Sequence, residues 1–145
     1  MKKTILVVDD DASVRESVEN VLKGAGYGSV QAAGGLQAPA KFDSHSIDLV
    51  ILDIGHPHQD DWQTCVHLAR RHSDVPIIVT TREPGQFSAA LASGAAALME
   101  KPLDADELLQ TVQILLGRTK ESDPLRTGEK FYYVAHDPRS SCEVR

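Results

Sequence analysis

The chain has 145 residues, 41% hydrophobic, 25% charged and 5% aromatic, which places it with ordinary soluble globular proteins of about one domain. Fifteen Lys and Arg against twenty-one Asp and Glu give a formal net charge of −6, which excludes bulk attraction to nucleic acid or an anionic membrane as the default. Cys65 and Cys142 show no CxxC or Cys/His spacing, so neither a disulfide framework nor a zinc site is expected, and a reducing cytoplasm fits best.

Met1-Lys2-Lys3-Thr4 leads into an apolar run that stops at three aspartates. That run falls far short of a signal-peptide core or the roughly 20 residues of a membrane span, so neither export nor membrane insertion is expected. Ile5-Leu6-Val7-Val8 is a nearly unbroken aliphatic run, the pattern of a strand covered on both faces in a parallel sheet. A helix is predicted from about Ala12 to Lys23, with Val14, Val18, Val21 and Leu22 at helical spacing and Gly24 and Gly26 as stop signals. Ser29 to Ala33 reads as a weaker strand. Leu36 to Phe42 reads as a short helix in which Pro39 is tolerable only near the first turn.

Ile47-Asp48-Leu49-Val50-Ile51-Leu52 is the strongest strand signal and ends directly at Asp53, before the turn-rich Gly55-His56-Pro57. A helix from about Asp61 to His72 carries Trp62, Cys65, Val66 and Ala69 on one face. Val75 to Val79 is a fourth strand running into Thr80-Thr81. A short helix near Phe87 to Ala92, a turn at Gly94 and a brief strand from Ala96 to Met99 lead to Glu100-Lys101-Pro102. Asp104 to Glu107 opens the last helix with a capping-box-like start, followed by Leu108, Leu109, Val112, Leu115 and Leu116 and closed by Gly117.

This alternation predicts an α/β fold: a flavodoxin-like, doubly wound (βα)5 three-layer sandwich with parallel strand order 2-1-3-4-5. Residues 1–119 form the expected domain and 120–145 a mixed-charge tail, extended or partly disordered and too short for a DNA-binding domain. Phe131-Tyr132-Tyr133-Val134 is its only apolar stretch, open to three readings: an added edge strand, a docking segment, or disorder.

In that topology Asp9, Asp10, Asp53, Thr81 and Lys101 all lie at C-terminal ends of strands, with strands one and three adjacent at the switch point. Converging carboxylates raise one another's pKa values unless a cation joins them. All-oxygen ligation suits Mg²⁺ better than zinc or copper. A carboxylate nucleophile, a divalent cation, the Lys101 ammonium and the Thr81 hydroxyl are the parts that phosphoryl transfer needs, and they imply formation of an aspartyl phosphate. Thr80 is a rival for the hydroxyl role, although register favours Thr81. Asp9, Asp10 and Asp11 also fit plain helix N-terminal acids.

Val7-Val8-Asp9-Asp10-Asp11, Leu52-Asp53-Ile54 with Pro57, Pro76-Ile77-Ile78-Val79 leading to Thr81, Gly94-Ala95 and Lys101-Pro102 together resemble the CheY-like receiver domain of bacterial two-component response regulators, over about Lys3 to Leu116. The resemblance implies that Asp53 accepts a phosphoryl group from the phosphohistidine of a sensor histidine kinase or phosphotransfer protein. It further implies that Asp10, Asp53 and the Gly55 carbonyl ligate Mg²⁺, with Asp9 acting mainly through water. Thr81 and Lys101 would hold the phosphoryl group and convert its presence into movement of the face built from helix four, strand five and helix five. The expected role is a stand-alone cytoplasmic receiver acting on a downstream protein target, without direct DNA binding and with homodimerisation left open.

Several positions depart from the family pattern. Leu98 stands where many receivers carry an aromatic switch residue, Arg82 where a small residue is usual, His56 for a common methionine and Asp61 for a common glycine. Arg82 could cover the site, pair with phosphate or turn to solvent. Two other functions compete: a pseudo-receiver that binds partners without phosphotransfer, and a small haloacid-dehalogenase-like phosphatase using the Asp9-x-Asp11 pair.

Overall fold

The computed structural model describes residues 2–55, 59–117, 131–135 and 144, with the backbone alone for residues 59–61. The expectations for His56, Pro57, the Asp61 side chain, Cys142 and most of the tail lie outside the described residues. Six parallel strands make one sheet: β1 (Thr4–Val8), β2 (Gly28–Ala32), β3 (Leu49–Asp53), β4 (Ile77–Thr81), β5 (Ala97–Glu100) and β6 (Tyr132–Val134), in the order β2-β1-β3-β4-β5-β6. The helices between them are α1 (Ala12–Gly24), α2 (Ala38–Ser44), α3 (Gln59–Arg71), α4 (Phe87–Ala92) and α5 (Ala105–Leu116). This is the expected flavodoxin-like order, with one strand added at the β5 edge.

The central strands are apolar up to their C-terminal ends because both of their faces are covered. Ile5, Val7, Leu49, Ile51, Ile78, Ala97 and Met99 pack with Val18 and Leu22 of α1 and Leu108, Val112 and Leu115 of α5. Leu6, Val8, Val50, Leu52, Ile77, Val79 and Leu98 point the other way and pack with Ala38 and Phe42 of α2, Cys65 and Leu68 of α3, and Ala90 of α4. Strand residues two apart share a face, so each strand ends with a known facing for its last polar residues.

Local chemistry sets the boundaries. Asp11 caps α1 by accepting from the Ser13 and Val14 amides at 2.9 and 3.3 Å, and Asp104 caps α5 through the Asp106 and Glu107 amides at 2.8 and 3.4 Å. The second helix begins at Ala38 rather than near Leu36, which lies outside it fully exposed, because Pro39 is admitted only in the first turn. The fourth strand begins at Ile77, one residue beyond Pro76, which has no N–H for the ladder; its carbonyl still accepts from Val50 N–H at 3.0 Å. Gly94 turns the chain into β5 at φ +88°, and a Cβ there would come within 2.9 Å of Ala69 Cβ.

Of the three readings of Phe131-Tyr132-Tyr133-Val134, the structure shows the added strand, with Ala97, Leu98 and Met99 paired to Tyr132, Tyr133 and Val134. The Phe131 and Tyr133 rings meet Phe87 of α4 at centroid distances of 5.2 and 5.7 Å, the first edge-on, and Tyr133 OH donates to Glu100 Oε2 at 2.7 Å. Three residues and one aromatic cluster make this the most weakly anchored strand. Replacing Phe131 with Ala should speed amide exchange at Tyr132–Val134 roughly tenfold while leaving β1 and β3 protected, a contrast that hydrogen-exchange mass spectrometry reads directly.

Candidate functional site

The C-terminal ends of β1, β3, β4 and β5 meet at one rim. Asp9 follows β1, its amide donating to Ala32 O at 3.1 Å and its carbonyl accepting from Arg15 Nη1 at 2.6 Å. Arg15 is itself held by Gln31, through Nε to Oε1 at 3.1 Å, and Gln31 bonds Glu19. Asp53 is the last residue of β3, and the next amide, that of Ile54, donates to Thr80 O at 2.8 Å. Lys101 follows β5 and its amide donates to Thr81 O at 2.8 Å. Backbone ladders therefore place all three side chains independently of any contact between them.

Carboxylate oxygens of Asp9, Asp10 and Asp53 lie within 4.8 Å of one another, with Asp9 buried, Asp53 partly buried and Asp10 exposed. Lys101 Nζ sits 2.8 Å from both Asp9 Oδ2 and Asp53 Oδ1, and all three of these side chains are nearly inaccessible to solvent. Three carboxylates against one ammonium leave a formal excess of two negative charges. Burial pushes the Asp53 carboxyl above its usual range; Lys101 pulls it back by hydrogen bond and charge, while Asp9 and Asp10 push it further up. An all-oxygen cluster with two uncompensated charges suits a hard divalent cation, so the residues present fit Mg²⁺. Gly55 adjoins this cluster: a Cβ there would stand 3.3 Å from Asp53 Oδ2.

The three consecutive aspartates divide their work. Asp11 is a helix cap, as the plainer reading of the acidic turn has it, and its amide donates to Asp9 Oδ1 at 2.9 Å; Asp9 and Asp10 belong to the cluster. The two threonines divide as well. Thr81 continues the Val79 face, is fully buried, and accepts from Glu83 N–H at 3.0 Å, which leaves its own O–H to donate. Thr80 is the residue paired with Asp53, and its Oγ1 donates to Asp53 Oδ1 at 3.4 Å. The alternation of β4 is the signal for this: Asp53 follows Ile51 and Thr80 follows Ile78 on one face. Arg15 gives no comparable signal, since its contact is to a backbone carbonyl.

Arg82 is exposed, and Leu98 is wholly buried beside Tyr133 in the sheet. Cys65 is buried, donates to Ser93 O at 3.5 Å, and has its thiol pushed up to about 12 by that burial, as befits an inert core residue.

Residues 5–113 match the response regulator receiver domain family model. The chain belongs to that family. It is 37% identical over 125 residues to "Response regulator MprA" of Mycobacterium tuberculosis (H37Rv), covering 85% of this chain and 54% of that one. Against the Mycobacterium avium MprA it is 37% identical over 121 residues, 82% of this chain and 53% of that one. The chain thus spans about half the length of the curated relatives it matches. Among solved structures it is similar to a CheY-like receiver domain protein from Methanospirillum hungatei JF-1, with TM-score 0.75, 25% identity, and coverage of 80% of this chain and 94% of that one. It is also similar to the Vibrio cholerae chemotaxis protein CheY4, with TM-score 0.73, 29% identity, and coverage of 79% and 99%. These matches favour a receiver over the phosphatase alternative. Among the described residues no helix is long and apolar enough to cross a membrane.

The electrostatics of the receiver's acid cluster carry a measurable consequence. A folded-state pKa raised at Asp53 means that the folded protein holds this proton to higher pH than the unfolded chain does. Stability from this group is therefore greatest at low pH and is lost as pH rises through the folded value. In metal-free buffer Asp53→Asn should raise the urea midpoint at pH 7, and its advantage over the wild type should shrink as the pH falls into the carboxylate range.

Proposed function

We propose that Asp53 is the phosphoacceptor of this receiver, charged from the phosphohistidine of a sensor histidine kinase or phosphotransfer protein in the cytoplasm. What supports this most is the placement of Asp53 between a bridging ammonium and two further carboxylates. The Asp53 carboxylate attacks phosphorus; the P–N bond breaks, and its electron pair leaves with the donor imidazole, which takes up a proton. Asp9, Asp10, Asp53 and the Gly55 carbonyl would hold Mg²⁺, which when bound neutralises charge on the transferring phosphoryl oxygens.

Lys101 sits within hydrogen-bond distance of Asp53 and, by turning its ammonium from Oδ1, reaches an incoming phosphoryl oxygen without leaving the rim. Thr81 offers its free O–H to another. Asp9 keeps Lys101 anchored while this happens, because the same ammonium already bridges both acids. Output through contacts with a downstream protein follows as a further part of this reading, with homodimerisation left open.

Acetyl phosphate with Mg²⁺ should add one phosphoryl group to the wild type, seen by intact mass spectrometry, and none to Asp53→Ala. Labelling that persists in Asp53→Ala would reject Asp53 as acceptor, and a wild type that never labels alongside a competent control receiver would point to the pseudo-receiver. Mg²⁺ at ten times its Kd should stabilise the fold by about 1.4 kcal/mol by mass action, a shift in thermal midpoint that Asp10→Ala abolishes.

A further inference from the structure

Asp53 presents two oxygens in different surroundings. Oδ1 accepts from Lys101 Nζ at 2.8 Å and from Thr80 Oγ1 at 3.4 Å, while Oδ2 lies on the Gly55 side, 3.3 Å from where a Cβ would be. Thr80 is 2% exposed, so its hydroxyl has little water to turn to, and the parallel register holds it directly opposite Asp53. The Thr80 hydroxyl thus reaches Oδ1 and not Oδ2, which makes Oδ2 the natural attacking atom if Asp53 is the acceptor.

We infer that Thr80 is a positioning residue that fixes the Asp53 carboxylate and shortens the life of the phosphorylated state. The inference rests on Asp53 as the phosphoacceptor. A hydroxyl bonds more strongly to an ionised carboxylate than to the neutral carbonyl of an acyl phosphate. In hydrolysis water attacks phosphorus and the bond from phosphorus to Asp53 Oδ2 breaks. The electron pair returns to the carboxylate, and both protons of the attacking water leave with inorganic phosphate. Negative charge grows on the carboxylate and is shared with Oδ1, so the Thr80 bond strengthens as the reaction proceeds and lowers its barrier. Thr81 has a different place: its side chain lies on the opposite face of β4, and its oxygen takes the Glu83 amide.

The test is the phosphoryl half-life after loading with acetyl phosphate and removal of the donor, in the full chain with Mg²⁺ present. Thr80→Val keeps the buried, branched shape and removes only the hydroxyl; it should lengthen the half-life roughly three- to tenfold. Thr80→Ser restores the hydroxyl and should return the half-life to within about twofold of the wild type, which a purely structural role for the methyl group would not do. If Thr80→Val does not fold, Thr80→Ala should show the same lengthening. A half-life unchanged in the folded hydroxyl-free variant, a shorter one, or no rescue by Ser overturns the inference. Failure of the underlying reading looks different: the wild type itself would not label, or would still label as Asp53→Ala.

Discussion

The structure turns on one ammonium shared by two acids. Lys101 bridges Asp9 and Asp53 across four strands, and without it the cluster at the sheet's rim would be three carboxylates held together against their own repulsion. The bridge compensates only part of that charge. The uncompensated remainder suits the rim to a hard cation, and it also makes the cluster by itself a source of instability. Function and local destabilisation therefore have one origin. The surrounding fold supplies the rigidity that holds the acids in place, through two apolar layers packed on either face of the sheet.

Much of this is legible from residues alone, because parallel strands buried on both faces write themselves as aliphatic runs. Ile47 to Leu52 can be placed with Asp53 at its end, although the strand itself starts at Leu49, and the same reasoning puts Asp9, Asp10 and Lys101 at the rim from chain order and strand ends. What is harder to read has physical causes. Thr80 and Thr81 are adjacent hydroxyls at the end of β4, and a one-residue difference in register exchanges their faces. The pairing of Asp53 with Thr80 comes from the Ile77 start of the strand, which Pro76 sets. Phe131 to Val134 is too short for its alternation to separate a strand from incidental aromatics; its contacts with Phe87 on α4 and with β5 decide it. The Arg15 contact has no signature, since any long cation on the first turn of α1 would look the same.

The acidic turn shows how one run of identical residues takes on separate duties. Asp11 faces the helix amides, Asp9 turns inward to Lys101, and Asp10 stays exposed at the cluster's margin. The Asp11 amide donates to Asp9 Oδ1, so the start of α1 and the orientation of the buried acid are one arrangement. Helix capping and site geometry are then parts of the same local fold, and the Arg15 side chain closes that turn from the helix side by binding the Asp9 carbonyl.

The sixth strand bears on where this polypeptide can be cut. A chain ended after α5 would leave β5 with an open row of backbone donors and acceptors, and would strip Phe87 of both its ring neighbours. Such a fragment would carry an adhesive margin on the side of the sheet farthest from β2, next to Glu100 and only one residue from Lys101. Trimming to the five repeating units would thus move the sheet's open edge from the short β6 to β5, beside the rim.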